Sequence, residues 1–421
     1  MKFSDYHILK DIKKNLDKLG FTRPTDIQFK SIPPIMKGED VLAVAQTGTG
    51  KTAAFAIPLI DMIHNIKSSK RSYGIKALVM VPTRELAIQI AKVFSKLSKG
   101  TNTKSFAIYG GVEQDAQIIN LIKGIDVLIA TPGRMFDLIS QGFIKLDGIS
   151  TIVLDEADQM LKLGFYKDIQ DIKKKVNHKH QTLFFSATID KEIKKIAYSL
   201  VRTNAIRIEI SPKDPVAKNI THFVAFIEKD DKRFFLKNLI ENNPDYKIIA
   251  FVRTIVRADR ISKSMKNFEI ESKTIHREKT QEERTNIMKQ FRNGDFKLLI
   301  TTDILARGID VPNVDLVINY DLPEVTENYV HRVGRTGRGR NKGLAISFCS
   351  NDEKKILEEI EGFLDKKIEV LKMSKKEYRT ILEIANEPDS WQDLMAQAEK
   401  EDKEYKEKKA KKSKKKKNKK K

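Results

Sequence analysis

A chain of 421 residues with a formal net charge of +22 has room for two domains, each able to bury a full core. Its single cysteine, Cys349, excludes a disulfide framework or a cysteine-rich metal site and points to a reducing compartment. No apolar run approaches a membrane span and no apolar leader follows Met1, so a cytosolic (cytoplasmic) protein with no membrane contact is expected.

Residues 1–40 form a lead-in, with a Lys-rich amphipathic stretch followed by Gly20-Phe21-Thr22-Arg23-Pro24-Thr25-Asp26-Ile27-Gln28. From residue 41 short apolar runs alternate with helical patterns: 41–45, 77–81, 106–109, 127–130, 152–154 and 183–185, with helices such as 85–97 and 190–199 between them. Near-continuous apolar strands separated by helices predict a parallel sheet covered on both faces, spanning 41–210. Ser211-Pro212-Lys213-Asp214-Pro215 breaks the pattern and reads as a linker over 211–219.

The alternation restarts at 222–227 and continues through 248–252, 274–275, 297–300, 316–319 and 344–348, giving a second α/β domain over 220–365. Cys349, at the end of its last apolar run, reads as a small core residue. Residues 366–421 turn charged, and 403–421 hold 13 lysines against 2 glutamates, half of the net charge. A disordered basic C-terminal tail is expected, suited to an anionic polymer or to solubility alone.

Two stretches carry chemistry. Ala45-Gln46-Thr47-Gly48-Thr49-Gly50-Lys51-Thr52 lies between an apolar strand and a helix. Glycines there let backbone N–H groups close around phosphate oxygens at a helix N-terminus. Lys51 would reach the β/γ-phosphates and the Thr52 hydroxyl would ligate Mg²⁺. Ala45 stands where the usual pattern has glycine. Asp155-Glu156-Ala157-Asp158 follows the strand 152–154, so its carboxylates sit at the same sheet edge as the loop. Asp155 would hold Mg²⁺ largely through water, and Glu156 would polarise the attacking water. The second domain has no such loop; residues 249–254 stand roughly where it would be. One nucleotide site for two sheets predicts a site in the cleft between them.

Asp-Glu-Ala-Asp spells the name of the DEAD-box RNA helicases, and the chain resembles that family over roughly residues 3–363. The segment 20–28 resembles its adenine-reading Q motif, with Phe3 as upstream aromatic. Further motifs appear in the family's order: Pro82-Thr83-Arg84-Glu85-Leu86-Ala87, Gly110-Gly111, Thr131-Pro132-Gly133-Arg134 and Ser186-Ala187-Thr188. In the second domain come Phe251-Val252-Arg253-Thr254, Gln281-Glu282-Glu283-Arg284, Thr301-Thr302-Asp303, Arg307-Gly308-Ile309-Asp310 and 329–338. One departure is visible: the family's glycine after His276 is replaced by Arg277.

The resemblance implies two tandem RecA-like domains, ATP and Mg²⁺ as cofactors, and RNA-stimulated ATP hydrolysis coupled to local strand separation. It assigns the nucleotide to Phe21, Gln28, residues 45–52 and Asp310. It assigns the catalytic roles to Lys51, Asp155, Glu156, Arg335 and Arg338. RNA falls to Pro82, Thr83, Arg84, Gly111, Thr131, Gly133, Arg134, Arg253, Arg284 and Thr301. Asp158, Ser186, Thr188 and His331 would couple the two sites. A Gln side chain offers the donor and acceptor needed to read the N6/N7 edge of adenine. The RNA-side residues suit sugar and phosphate contacts that position single strands and short duplexes without reading sequence. A monomer is expected, and ribosome-assembly or RNA-decay proteins are compatible partners. An ATP-gated RNA clamp or a DNA translocase would use the same residues.

Overall fold

The computed structural model describes residues 2–45, 48–69, 74–188, 191–210, 216, 219–303, 314–337, 342–372 and 374–385. The first sheet comprises β1 (Val41–Ala45), β2 (Ala77–Met80), β3 (Ser105–Ile108), β4 (Val127–Ala130), β5 (Thr151–Leu154), β6 (Gln181–Ser186) and β7 (Ile206–Ile210). Its order is β3-β4-β2-β5-β6-β1-β7 and every pairing is parallel. Side chains alternate between two apolar layers: Val41, Ala43 and Ala45 enter one, Leu42 and Val44 the other. That two-sided burial is why these strands read as unbroken apolar runs.

The second sheet repeats the design with β8 (Ile220–Phe226), β9 (Ile248–Phe251), β10 (Ser272–Ile275), β11 (Leu298–Thr301), β12 (Leu316–Asn319), β13 (Gly343–Cys349) and β14 (Glu369–Val370). Its order, β10-β11-β9-β12-β13-β8-β14, is the first order shifted by seven strands. Cys349 is buried, as its apolar run implied.

The repeated topology corrects the placement of the second cradle position. β9 takes the place of β2, not of β1. The helices that follow these two strands begin alike. Thr83 (φ −129°, ψ 153°) caps Arg84–Leu97 and Thr254 (φ −131°, ψ 155°) caps Ile255–Asn267, each hydroxyl accepting from the N–H three residues on. The position equivalent to the cradle is the turn after β8, and the helix after it, Lys232–Glu241, opens on a lysine just as Lys51–Ser69 does.

Two boundaries also move. Phe3, Tyr6, Ile12, Leu16 and Ile27 are buried in the first domain's core, so the lead-in is an integral part of that domain. The charged tail starts later than residue 366: β14 pairs with β8, and the helix Lys375–Ala385 packs Tyr378, Ile381 and Leu382 on the second core. The Lys-rich run 403–421 lies outside the described residues. So does most of the linker, although Val216 is buried in the second core.

Candidate active site and nucleic-acid face

The strand order sorts the motifs. β5, β6 and β1 are neighbours, so the loops after them place the cradle, Asp155–Asp158 and Ser186–Thr188 side by side at the carboxyl edge, the usual ligand edge of such sheets. β3, β4 and β2 form the other half, and the loops after them carry Gly110-Gly111, Thr131–Arg134 and Pro82–Arg84. One edge thus holds two adjacent sites.

In the cradle, Gly48 and Gly50 have φ of +83° and +91°. A Cβ on Gly50 would lie 2.3 Å from the Gln28 amide nitrogen, so only glycine permits both the turn and the contact. Gln28 is buried; its Oε1 accepts from the Thr25 N–H (3.0 Å) and its Nε2 donates to the Gly50 carbonyl (3.1 Å). The amide therefore caps the helix Asp26–Met36 and braces the loop. Phe21 is 46% exposed beside this segment, whereas Phe3 is buried against Tyr6 at 5.9 Å between rings. Phe3 supports the core, so of the two aromatics only Phe21 offers a free ring. Lys51 is buried and donates to the Ala45 carbonyl at 2.6 Å. Gln46 and Thr47 lie outside the described residues.

Asp155 is buried and its Oδ1 accepts from the Glu156 N–H at 3.0 Å. Burial pushes its carboxyl up to about 6, against the opposing pull of the Lys51 charge. Burial, reinforced by Asp155 and Asp158, pushes Glu156 up to about 7, against Lys51 and against Arg335 of the second domain. Glu156 adopts the left-handed conformation (φ +50°, ψ 46°), and its Oε2 is buried without a hydrogen-bond partner. Thr188 donates its hydroxyl to Asp158 at 2.8 Å, and Ser186 donates to the Thr188 carbonyl at 2.6 Å. The acidic turn and the Ser-Ala-Thr turn are thereby joined.

Across the cleft, Arg335 is buried and its Nε donates to the His331 carbonyl, 3.0 Å away within the same turn. His331 is buried in the helix Thr326–Val333. Arg338 and Asp310 lie outside the described residues. Among the described residues two ion pairs cross between domains: Lys162 to Glu327 and Arg284 to Glu85, both 3.1 Å.

On the other half of the edge, a Cβ on Gly111 (φ +76°) would collide with the Arg84 guanidinium at 1.9 Å. Glycine there leaves Arg84 its place. Arg134 donates to the Val112 carbonyl at 2.9 Å, while its Nη1 is buried without a partner. Thr131 precedes the helix Pro132–Ser140 and Gly133 is exposed at its start. Arg253 is exposed at the end of β9.

Two expected RNA contacts are placed otherwise. Thr301 is 1% exposed and its hydroxyl donates to the Ile275 carbonyl at 3.0 Å, which ties β11 to β10. Arg284 bonds to Glu85 and to the Arg277 carbonyl, so its guanidinium faces protein rather than an open surface.

Residues 25–196 match the DEAD/DEAH box helicase family and residues 231–340 the helicase conserved C-terminal domain. The chain is 38% identical over 370 residues to the ATP-dependent RNA helicase CshA of Listeria monocytogenes, covering 88% of this chain and 70% of that one. The chain belongs to the DEAD-box ATP-dependent RNA helicases. It is also 36% identical over 406 residues to the ATP-dependent RNA helicase DbpA of Bacillus subtilis (95% and 83% covered). In three dimensions the helicase resembles S. cerevisiae Dbp5 bound to RNA and ADP BeF3, with a TM-score of 0.80, 29% identity and 91% and 99% of the two chains covered. Mss116 bound to ssRNA and UDP-BeF gives 0.79 at 30% identity, covering 90% and 81%. A score of that size over both domains means that their relative placement is shared as well.

Replacing the family glycine by Arg277 leaves the helicase's local turn intact. Lys279 N–H bonds to the His276 carbonyl at 3.1 Å, and Arg277 is not among the described residues with positive φ. Sequence reading missed Arg332. Fully buried, it forks onto both oxygens of Asp303 and donates to the Asp321 carbonyl and to Asn319. An arginine inside a quoted motif was the available signal, but its neighbours Arg335 and Arg338 looked equally basic.

Proposed function

We propose that the helicase hydrolyses ATP at the β5-β6-β1 half of the edge when RNA on the β3-β4-β2 half brings the second domain into place. The observation that carries this reading is geometric: β5, β6 and β1 are neighbours, so the Lys51 cradle, the acidic turn and the Ser-Ala-Thr turn bonded to it share one half of the edge. Lys51 holds the β/γ-phosphates at the N-terminus of its helix. Glu156, its Oε2 unpartnered and its affinity for protons raised, polarises the attacking water. Arg335 stabilises charge developing on the γ-phosphoryl group.

The donor set suits Mg²⁺: one buried carboxylate, Asp155, and the Thr52 hydroxyl, hard oxygens that leave room for water and phosphate. Asp155 and Thr52 would hold the ion, which would supply neutralisation of phosphate charge. Gln28 and Phe21 select adenine. Asp158, Thr188 and Ser186 link that site to the RNA side, with His331 beneath Arg335.

Pro82, Thr83, Arg84, Gly111, Thr131, Gly133, Arg134 and Arg253 position the strand through sugar and phosphate, without reading sequence. Arg284 instead clasps the domains. A monomer acting in the cytoplasm completes the proposal; among the described residues no helix is long and apolar enough to cross a membrane.

The test is Arg335→Ala. ATP affinity is expected to stay within about tenfold while RNA-stimulated turnover falls at least about a hundredfold. Lost ATP binding with unchanged turnover would make Arg335 a ground-state clamp and overturn the assignment.

A further inference from the structure

In the second domain the place of the phosphate cradle is occupied by the protein itself. Lys232, the first residue of its helix as Lys51 is of its own, is fully buried. Its ammonium donates to the Tyr320 carbonyl (2.8 Å), to the Phe348 carbonyl (3.2 Å) and to Glu353 Oε2. Tyr320 follows β12 directly, as Asp155 follows the equivalent β5.

Glu353 is held the way a phosphate would be. Oε2 also accepts from the N–H and hydroxyl of Ser350 (3.1 and 3.0 Å), and Oε1 accepts from the Leu322 N–H (3.0 Å) and from Arg253 Nη2 (3.3 Å). Such a carboxylate, surrounded by donors and two cations, is locked as an anion. Burial opposes its ionisation, but the Lys232 charge and the donated hydrogen bonds hold its carboxyl below the ordinary value.

The cluster is connected to the nucleic-acid face through one side chain. Arg253 is anchored twice: its N–H bonds to Asp321 Oδ2 (3.0 Å) and its guanidinium to Glu353, with the exposed Glu324 at 3.4 Å as a third partner. Its side chain is 37% exposed, so a face remains open.

We infer that Glu353 is a positioning residue for RNA engagement: an anion built into the second domain's phosphate place that holds Arg253 at the strand-binding edge. The inference rests on the reading of Arg253 as an RNA contact. Lys232 fixes one carboxylate oxygen, which leaves the other aimed at Arg253; without that anchor the guanidinium samples several rotamers, and RNA must order it on binding.

The test is RNA-stimulated ATPase of the full chain with Glu353→Gln, Arg253→Ala and the double variant. Glu353→Gln is expected to raise the RNA concentration for half-saturation about tenfold, with turnover at saturating RNA and RNA-free ATP affinity within about twofold. The double variant is expected to be no worse than Arg253→Ala alone. Because Glu353→Gln strands a buried ammonium, Lys232→Met/Glu353→Gln is measured beside it, and the same tenfold rise is expected. An RNA effect of Arg253→Ala that simply adds to that of Glu353→Gln would overturn the positioning role. So would a Glu353→Gln variant that melts earlier but half-saturates with RNA as the wild type does. If Arg253→Ala leaves half-saturation unchanged, the RNA role of Arg253 fails, and the inference with it.

Discussion

At the scale of single residues, Glu156, the proposed water-polarising group, carries a conformational and an electrostatic cost. A left-handed conformation in a residue with a Cβ costs of order 1–3 kcal/mol, and the packing around Asp155 and Asp158 sustains it. Burial and those two carboxylates move the proton affinity of Glu156 up to about 7. In the proposed role the ionised form polarises water, so kcat/KM for ATP is expected to rise about tenfold per unit below pH 7 and to level off above it. The pH profile of RNA-stimulated ATPase checks this; a flat profile between pH 6 and about 8 would remove Glu156 as the titrating group.

Stability runs the other way. A carboxyl whose folded pKa is raised lends stability that is complete below its unfolded pKa and is lost as pH rises through the folded value. Glu156→Gln, which cannot ionise, is therefore expected to melt a few degrees above wild type at about pH 8, with the gap closing toward pH 5. Its turnover is expected to fall at least about a hundredfold.

At the scale of elements, legibility followed burial. Strands buried on both faces, such as β1, β4 and β12, stood out as apolar runs. β7 and β14 did not, because an edge strand keeps one face in solvent: Ile206-Arg207-Ile208-Glu209-Ile210 alternates, and β14 has two residues, both exposed. The second cradle position was misplaced because Phe251–Thr254 offers the same local cue, strand then helix cap, at a different strand. Arg284 could not be read either: its partner Glu85 is 199 positions away.

The helix Lys375–Ala385 looked like charged tail because its apolar face is narrow, yet Tyr378 donates to Asp231 (2.7 Å), accepts from the Glu228 N–H (3.1 Å) and sets its ring 4.8 Å from that of Phe235 at a tilt of 50°. Leu371, Ile381 and Leu382 pack beside it. A chain ending at residue 385 is expected to melt within about 2 °C of the full protein. One ending at 365 is expected to lose about 5–10 °C, since several partly buried side chains at roughly 1 kcal/mol or more each are removed. Equal melting of the two truncations would show that the helix adds nothing to the domain.

At the scale of the whole molecule, the ion pair between Lys162 and Glu327 joins the two domains and is expected to bias closure of the cleft. Lys162 follows the acidic turn of the first domain, and Glu327 lies in the helix that leads to Arg335. Their side chains are 31% and 19% exposed, so the pair is screened and is worth at most about 1 kcal/mol. That is small against folding but acts directly on closure. A bias of this size changes the closed population, and hence apparent RNA affinity, by up to about fivefold. Lys162→Glu replaces attraction by repulsion between two carboxylates and is expected to weaken RNA binding in the presence of ATP by about five- to tenfold. Glu327→Lys should do the same through paired ammonium groups. Reversing both restores the pair with opposite sense, and RNA affinity is expected to return to within about twofold of wild type. RNA affinity without nucleotide should be unmoved by all three, because an open cleft does not feel the pair. Equilibrium RNA binding with and without a non-hydrolysable ATP analogue reads each quantity. A double variant as weak as the sum of its singles would mean that Lys162 and Glu327 act separately.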